Sequence, residues 1–119
     1  MQLTPHFSFS EFLCPCCGNG NPVTAQRVAE ELEKVRPAVG PIIIHSGFRC
    51  QKQNKKVGGV DHSYHLLGLA ADIAVNSDSR RYALVRALLD SGWKRLGIAY
   101  NYVHADLGPT RTPVIWTYY

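Results

Sequence analysis

The sequence predicts an α+β fold in which two main helices pack on a small, mostly antiparallel sheet. Two stretches carry apolar residues at helical spacing, whereas several short runs are β-branched or alternate in polarity and are bounded by glycine or proline. The 119 residues show no repeat, low-complexity tract or linker, and they are enough for one hydrophobic core. We therefore expect a single domain over residues 1–119.

A turn-rich entry segment is predicted over residues 1–22, where "FSFSEF" is followed by "CPCCGNGNP", a run dense in turn-forming residues. A helix is predicted next, with Thr24 as its N-cap and with Pro37 and Gly40 ending it. Its core face is predicted from the helical spacing of Val28, Leu32 and Val35.

The predicted strands begin with "PIIIHSG" (41–47) and "LAADIAV" (69–75), because both runs are rich in apolar or β-branched residues. The polar, glycine-bearing residues between them, 48–64, are predicted to form a long loop, and loops of this length are often functional. "GIAYNYVHADLG" and "VIWTYY" supply the remaining strands.

A second main helix is predicted between these strands. Ser77 or Ser79 is expected to cap it, and Gly92 is expected to stop it. Its core stripe is predicted to comprise Tyr82, Val85, Leu88 and Leu89.

Composition excludes several classes of protein. Apolar residues make up 45% of the chain and charged residues 18%, as in ordinary folded domains. No apolar run approaches the roughly 20 residues that span a bilayer, so we expect no membrane insertion. The N-terminus lacks a basic region followed by an apolar core, so we expect no secretory signal and synthesis in the cytoplasm.

The net charge of +4 and the pI near 9.0 suit an anionic partner such as nucleic acid, a membrane surface or a bacterial wall polymer. Three nearby lysines, Lys52, Lys55 and Lys56, are predicted to lie on a solvated loop. Because the sequence has no helix-turn-helix pattern and no basic-aromatic stacking platform, no nucleic-acid partner is expected. We expect a monomer.

Four cysteines, Cys14, Cys16, Cys17 and Cys50, leave their chemistry open. "CPCCG" offers thiolates for zinc, but a structural zinc site usually shows two separated ligand pairs, and Cys50 stands alone. Synthesis in the cytoplasm argues against an obligatory disulfide. Reduced thiols in a packed N-terminal loop are favoured, with a bridge to Cys50 and a second metal site as alternatives.

The segment "YVHADLG" alternates in polarity as a strand does. This alternation places His104 and Asp106 on one face and their apolar neighbours, Val103 and Ala105, on the other. A face that bears a histidine and an aspartate is expected to line a cleft or solvent rather than the core.

A second polar pair lies in "SYHLLGLAAD", where His65 precedes Asp72 in an apolar frame. If the strand that begins near Asp72 neighbours the strand that carries His104, the three side chains converge. Two imidazoles and one carboxylate are typical of catalytic zinc, which keeps a fourth position for water. The alternative from residue types alone is a hydrogen-bonded loop histidine and, at Asp72, a strand-edge cap.

Three segments resemble, in the same order, parts of the zinc D-Ala-D-Ala peptidases of metallopeptidase family fifteen. The middle one matches S-x-H-x-x-G-x-A-x-D in full, at Ser63, His65, Gly68, Ala70 and Asp72. "SGFRCQKQNKKVGG" is similar to the preceding family segment, at Ser46, Gly47, Arg49, Asn54, Gly58 and Gly59. "YVHADLG" is similar to the closing histidine strand, and "FSFSEFLCPCCG" is similar to the entry segment of the short, phage-type branch.

This resemblance covers nearly the whole chain and implies a Hedgehog/DD-peptidase-like fold. It implies a peptidase that hydrolyses peptidoglycan stem peptides, as a D-Ala-D-Ala carboxypeptidase or an L-alanyl-D-glutamate endopeptidase. One Zn²⁺ ion held by His65, Asp72 and His104 is implied by position. Arg49 would lie at the cleft and bind a substrate carboxylate or the developing oxyanion, with a surface ion pair as the alternative. Ser63 would contact substrate or fix the loop.

The catalytic base is the point at which this sequence departs from the family pattern. Many members carry an acidic residue three positions before the last histidine, and Asn101 stands there. An amide cannot accept a proton at neutral pH. Asp106 is the nearest replacement, either as the base or as a carboxylate that orients His104. His62 is a further candidate proton carrier, although an exposed loop histidine is the simpler interpretation.

A second class of function competes with the enzyme. Asn101 favours a catalytically silent zinc fold that serves as a wall-binding or virion assembly module. As an enzyme, the chain is expected to act on the cell wall after holin-type release or lysis, or from a virion.

Overall fold

The computed structural model describes residues 1–118, which form seven strands, four α-helices and two short 3-10 helices. The strands are β1 Gln2–Thr4, β2 Phe7–Ser8, β3 Ile44–Ser46, β4 Ala70–Ala74, β5 Arg95–Ile98, β6 Tyr102–Asp106 and β7 Val114–Thr117. The α-helices are α1 Pro22–Glu33, α2 Arg36–Val39, α3 Gln51–Lys56 and α4 Asp78–Asp90, and the 3-10 helices are Phe9–Phe12 and Tyr64–Leu67. None of these helices has the length and apolar character needed to cross a membrane.

A five-stranded sheet with the order β3-β4-β6-β5-β7 forms the centre of the fold. Its neighbouring strands are antiparallel except for β5 and β7, which run parallel. Strands β4 and β6 pair along their full lengths, and their register sets Asp72 directly opposite His104. The predicted α+β class, with main helices α1 and α4 and a mostly antiparallel sheet, is confirmed.

The pleat of the sheet separates an apolar face from a polar one, because successive side chains point to opposite sides. The apolar face contributes one set of residues to the core: Ala71, Ile73, Leu96, Val103 and Ala105. The two main helices contribute a second set: Val28 and Leu32 from α1, Leu84 and Leu88 from α4. Asp72, His104 and Asp106 alternate with the first set and therefore lie on the opposite, polar face.

The start of α1 differs from the prediction, and the N-cap at Thr24 is wrong. The Asn21 side-chain oxygen accepts hydrogen bonds from the backbone N–H groups of Val23 and Thr24, at 3.0 and 3.3 Å. Pro22 occupies the first helical position, where its missing N–H costs nothing. The helix therefore begins earlier than the hydrophobic periodicity suggested.

The end of α1 also comes earlier than predicted, at Glu33. Pro37 does not end this helix but lies in the first turn of α2, where proline is tolerated because no helical N–H bond is needed there. Gly40 follows α2 as its C-cap. Gly92 follows the end of α4, as the sequence predicted.

Helix α4 is capped by Ser77, one of the two predicted caps, whose hydroxyl accepts a hydrogen bond from the Arg80 N–H at 3.1 Å. The predicted core stripe is wrong at two positions, since Tyr82 is 67% exposed and Leu89 45%. The buried face comprises Leu84, Ala87 and Leu88, with Val85 partly buried. Both stripes satisfy helical spacing and share Leu88, and packing against the sheet buries the one through Leu84.

Residues 48–64 are not the structureless loop that the sequence predicted, because they contain α3. Glutamine and lysine are good helix formers, and they make up most of this helix. The lysines Lys52, Lys55 and Lys56 are exposed on it. The strand predicted over 41–47 is shorter in the structure, since it pairs only over Ile44–Ser46 and Ile43 is 68% exposed.

The entry segment is anchored in the core. Phe7 and Phe12 are 1% and 2% exposed, and their ring centroids lie 6.2 Å apart. Gly47 permits close contact with this segment, because a Cβ atom there would lie 2.7 Å from the Cα atom of Phe12. The Phe48 N–H donates to the Phe12 carbonyl at 3.0 Å. The entry segment thus contacts the chain immediately before Arg49.

Candidate metal centre

Three buried side chains meet on the polar face of the sheet. Asp72 on β4 and His104 on β6 face each other across the strand pair. His65 lies on the second 3-10 helix, whose cap is the Ser63 hydroxyl that accepts a hydrogen bond from the His65 N–H at 3.2 Å. This helix leads directly into β4, and all three side chains belong to residues that are at most 5% exposed.

The potential ligand atoms of these three residues form a tight triangle. His65 Nε2 lies 3.1 Å from Asp72 Oδ1 and 3.2 Å from His104 Nδ1. His104 Nδ1 lies 2.9 Å from the same oxygen of Asp72. Ligands bound at about 2.0–2.2 Å to a tetrahedral zinc ion lie about 3.3 Å apart, so the triangle has nearly the dimensions of three corners of such a site.

The outer nitrogens of the two imidazoles fix where their protons lie. His65 Nδ1 is 2.6 Å from the Gly47 carbonyl oxygen, and His104 Nε2 is 2.7 Å from Oδ2 of Asp106. Both oxygens can only accept, so both nitrogens donate. In the neutral rings the lone pairs therefore sit on His65 Nε2 and His104 Nδ1. Two lone pairs and a carboxylate oxygen converge, an arrangement that fits a bound cation.

The electrostatics of the triangle keep Asp72 ionised. Burial raises the pKa of its carboxyl, but hydrogen bonds with His104 and His65 outweigh burial and hold that pKa well below its usual range. Burial lowers the pKa of His104, but hydrogen bonds with Asp106 and Asp72 outweigh it and raise that pKa overall. A metal ion that binds His104 Nδ1 must therefore displace a proton that two carboxylates attract.

Asp106 lies behind His104, on the side of the ring that faces away from the triangle. Its Oδ2 accepts from His104 Nε2, and its Oδ1 accepts from Arg95 Nε at 2.7 Å and from the Gly108 N–H at 2.9 Å. Burial raises the pKa of this carboxyl, but the hydrogen bonds from these three groups lower it overall. Both carboxylate oxygens are engaged by donors, and the side chain is 1% exposed.

Arg49 lines the cleft and is 9% exposed. Its Nη2 donates to Asp72 Oδ2 at 3.1 Å, which leaves Oδ1 of Asp72 to the histidines. Its Nε donates to Ser46 Oγ at 3.1 Å, and its Nη1 donates to Asn54 Oδ1 at 3.0 Å. The ion pair of Arg49 is therefore a buried one with the carboxylate of the triangle. One N–H group on each terminal nitrogen is left for another acceptor.

The triangle lies in a cleft of about 810 Å³, which Ser63 also lines. Aromatic side chains form much of its wall: Tyr64, Tyr102, Trp116 and Tyr118. The guanidinium carbon of Arg95 lies 5.1 Å from the ring centre of Tyr64 and 5.2 Å from that of Trp116. The Trp116 ring in turn lies 5.4 Å from the His104 ring. The metal-binding atoms thus adjoin a surface suited to an extended ligand.

Arg95 and Trp116 are site residues that the sequence analysis missed. Arg95 reaches Asp106 because β5 pairs with β6, which places these two residues in register. Trp116 covers the sheet at Gly97, where a Cβ atom would lie 2.6 Å from Trp116 Nε1. A glycine within an alternating strand signals this kind of close approach, so Gly97 was the available clue.

The other residues considered in connection with proton transfer, Asn101 and His62, lie in different places. Asn101 is exposed in the turn between β5 and β6, and it is not among the residues that line the cleft. Among the described cleft-lining residues, the carboxylic acids are Asp72 and Asp106. His62 lines the cleft, as does His45, which the sequence analysis did not single out. The His45 ring is parallel to the Tyr102 ring, with centroids 6.3 Å apart.

Two imidazoles and one carboxylate, buried beside an open cleft, define the donor set of a mononuclear metal-dependent hydrolase. The family model described as Peptidase M15 matches residues 5–106, which include all three members of the triangle. The chain therefore belongs to the peptidase M15 family, and the family assignment made from the sequence is confirmed. Membership indicates a zinc-dependent metallopeptidase with a peptide substrate. No curated protein matches the chain.

Proposed function

We propose that this metallopeptidase hydrolyses amide bonds in the stem peptides of peptidoglycan, as a D-Ala-D-Ala carboxypeptidase or as an L-alanyl-D-glutamate endopeptidase. The observation that carries the proposal is the convergence of His65 Nε2, His104 Nδ1 and Asp72 Oδ1 beside a cleft that can hold a peptide. The net charge of +4 suits an anionic wall polymer. A zinc ion held by these atoms would polarise the scissile carbonyl and lower the pKa of a bound water.

In this proposal Asp106 is a positioning residue rather than the general base. Its Oδ2 accepts the proton-bearing nitrogen of His104, and this contact keeps the lone pair of the ring on Nδ1. Its other oxygen is held by Arg95 and Gly108. Both oxygens are thus engaged by donors and the side chain is 1% exposed, which favours a positioning role over proton transfer from a water molecule in the cleft.

Arg49 has two tasks in the proposed reaction. It holds Asp72 through Oδ2, and it offers its remaining N–H groups to the carboxylate or the carbonyl oxygen of the substrate. A guanidinium suits this double role because it is planar and always charged. Ser63 caps the helix that carries His65 and also lines the cleft, so its hydroxyl hydrogen is available to the substrate.

The aromatic wall and Arg95 supply the rest of the binding surface. Trp116 and Tyr118 offer apolar area to the short side chains of a stem peptide, and Arg95 adds a positive charge beside them. Stem peptides carry free carboxylates, so a cleft with Arg49 and Arg95 in its walls is electrostatically complementary to them.

A cleft histidine is the best remaining candidate for the proton-transfer step, and we favour His45 over His62. His45 lies on β3, and its neighbour Ser46 pairs with Asp72 across the sheet. Stacking against Tyr102 further restricts its ring. His62 and His45 are both exposed, but His62 lies in the turn before the 3-10 helix rather than on a paired strand, so its backbone position is less constrained. Replacing His45 by Gln should lower kcat, whereas His62→Gln should leave it unchanged.

The proposal is tested by incubating the zinc-loaded protein with purified sacculi of several wall chemotypes and identifying the released peptides by mass spectrometry. Product should appear with the wild-type chain, and chelation or His65→Ala should remove it. His6→Ala is the matched control, because His6 pairs with Glu33 on the surface. Absence of a zinc-dependent product from every chemotype would overturn the proposal.

A second candidate function is a catalytically silent module that binds the wall or takes part in virion assembly. The observation that favours it is Asn101, which stands at the family's usual position for an acidic residue and lies outside the cleft lining. Stoichiometric zinc together with sacculus binding and no turnover would identify this function.

We further propose that the chain acts as a monomer on the wall after holin-type release or lysis, or as a virion component. The likeness of its entry segment to the short phage-type branch supports this setting. Detection of the protein in purified virions, as against the soluble fraction of a lysate, distinguishes the two routes.

A further inference from the structure

Three cysteine sulfurs form a second ligand cluster away from the histidines. The Sγ atoms of Cys14, Cys17 and Cys50 all lie within 4.8 Å of one another. Cys14 Sγ and Cys50 Sγ are 3.7 Å apart, although 36 positions of chain separate the two residues. Thiolates bound to a tetrahedral zinc ion at about 2.3 Å lie about 3.8 Å apart, whereas a disulfide requires about 2.05 Å. The distance between Cys14 Sγ and Cys50 Sγ is therefore that of two ligands of one metal ion.

The local backbone brings Cys14 and Cys17 to the same side of a tight turn. The Gly18 N–H donates to the Cys14 carbonyl at 2.8 Å, and the Cys14 N–H donates to the Asn19 carbonyl at 2.8 Å. Gly18 has a φ of 71°, a conformation that glycine adopts at little cost. The pattern C-P-x-C-G thus forms a knuckle that presents two sulfurs, and Cys50 approaches it from the start of α3.

Backbone N–H groups surround the buried sulfur of Cys14, as they would surround a thiolate. The Cys50 N–H donates to Cys14 Sγ at 3.5 Å. Burial raises the pKa of the Cys14 thiol, but the N–H groups of Cys50, Cys17 and Cys16 outweigh burial and lower that pKa to about 7. The Cys50 sulfur likewise accepts from the Gln53 N–H at 3.4 Å.

We propose that Cys14, Cys17 and Cys50 hold a structural zinc ion, with Cys16 as the fourth ligand. Cys16 lies in the same turn and is exposed, so its thiol can rotate toward the three sulfurs that already lie within 4.8 Å of one another. Each thiol that binds the metal gives up its proton to solvent, and the Zn²⁺ ion offsets two of the four negative charges that the thiolates carry. Four thiolates complete a closed tetrahedral centre with no position for substrate water.

This site would connect the entry segment to the catalytic cleft. Cys50 follows Arg49 directly, and the Arg49 N–H donates to the His65 carbonyl at 3.0 Å. The cysteine cluster therefore holds the chain that carries both Arg49 and the carbonyl of Gly47, the partner of His65 Nδ1. The second zinc ion is expected to stabilise the fold and to keep these partners in place, without contacting the substrate.

The test is the zinc content of protein purified under reducing conditions, measured on the full chain. Wild type should hold two equivalents. Cys14→Ser, Cys17→Ser and Cys50→Ser should each hold one equivalent and melt at lower temperature, and Cys16→Ser should lose the same equivalent more readily to a chelator. His65→Ala is the reciprocal variant, which should lose the other equivalent and keep the cysteine-bound ion.

Cobalt substitution gives a readout that does not depend on activity. A thiolate-to-metal charge-transfer band should appear in wild type and in His65→Ala, and it should disappear in Cys50→Ser. A wild-type content of one equivalent that the cysteine variants leave unchanged would overturn the proposal. So would a chain that is lighter by two hydrogen atoms under these conditions, because that mass identifies a disulfide. Retention of zinc by Cys16→Ser against chelator would remove Cys16 from the ligand set.

Discussion

The two ligand clusters of this protein are built on different kinds of backbone. The histidine–aspartate triangle stands on paired strands, where the register of β4 and β6 fixes Asp72 against His104. The cysteine cluster stands on a knuckle and on the residue that begins α3, so turns and caps hold it. Strand pairing determines the face of the sheet to which each side chain points. A turn determines mainly the direction of the backbone N–H groups.

The clusters also differ in the groups that support them. Charged side chains orient two members of the triangle, with Asp106 behind His104 and Arg49 behind Asp72, and the Gly47 carbonyl orients His65. In the cysteine cluster, by contrast, a backbone group, the Cys50 N–H, donates to the sulfur of Cys14. Side-chain partners tune the basicity of the metal-binding atoms and leave the cleft side of the triangle open to a further ligand. This arrangement suits a catalytic role. The cysteine sulfurs accept hydrogen bonds from the local backbone and do not require an open position for a substrate. This arrangement suits a structural role.

The largest effect is expected when one ligand is removed from the triangle. His104→Ala should reduce peptide release to background, because the remaining His65 and Asp72 do not hold a metal ion with an open position. It should remove one zinc equivalent and leave the cysteine-bound one. Metal analysis and muropeptide mass spectrometry measure the two effects. Loss of both equivalents would show instead that the clusters are not independent.

A smaller effect is expected from the carboxylate behind His104. Asp106→Asn should lower the metal affinity of the triangle or kcat by about 10–100-fold, as removal of such orienting partners usually does. If the amide oxygen accepts from Nε2, the amide nitrogen faces the Arg95 and Gly108 donors, so the variant loses the charge together with those two hydrogen bonds. Asp90→Asn on exposed α4 is the matched control. An unchanged affinity and kcat would argue against a positioning role for Asp106.

The metal affinity of the triangle should depend on pH, because His104 is one of its ligands. The pKa of His104 is raised, so its proton stays on the ring to a higher pH and competes with the metal. Affinity at the triangle should therefore rise with pH until His104 is neutral, and below that point it should fall by about tenfold per pH unit for one displaced proton. Competition with a chelator measures this slope, and a flat profile across the neutral and acidic range would contradict it.

The smallest effect is expected far from both clusters, at the start of α1. Asn21→Ala should lower the free energy of unfolding by about 1 kcal/mol, because it removes the cap that accepts from Val23 and Thr24. Thr24→Ala should cost less, since the cap uses the Thr24 backbone N–H and the Thr24 hydroxyl adds only a 3.3 Å hydrogen bond to the Asn21 carbonyl. Chemical denaturation of both variants measures the difference, and equal losses would restore Thr24 as the cap.

Much of the fold and of the candidate site could be read from local pattern. Polarity alternation placed His104 and Asp106 on one side of a strand and Val103 and Ala105 on the other, and the strand has that arrangement. Local pattern failed where two registers fitted equally well. The stripe through Tyr82 and the stripe through Leu84 both follow helical spacing, and contact with the sheet decides between them.

The family, the α+β class and the residue types that can bind metal follow from the sequence, because motifs and periodicity are local properties of the chain. The tertiary structure alone decided which nitrogen of each histidine faces Asp72, and that Asp106 points away from the triangle. It also brought Arg95 to Asp106 and Cys50 to Cys14. Contacts between distant segments depend on strand register and on packing, and neither is encoded within any one stretch of sequence.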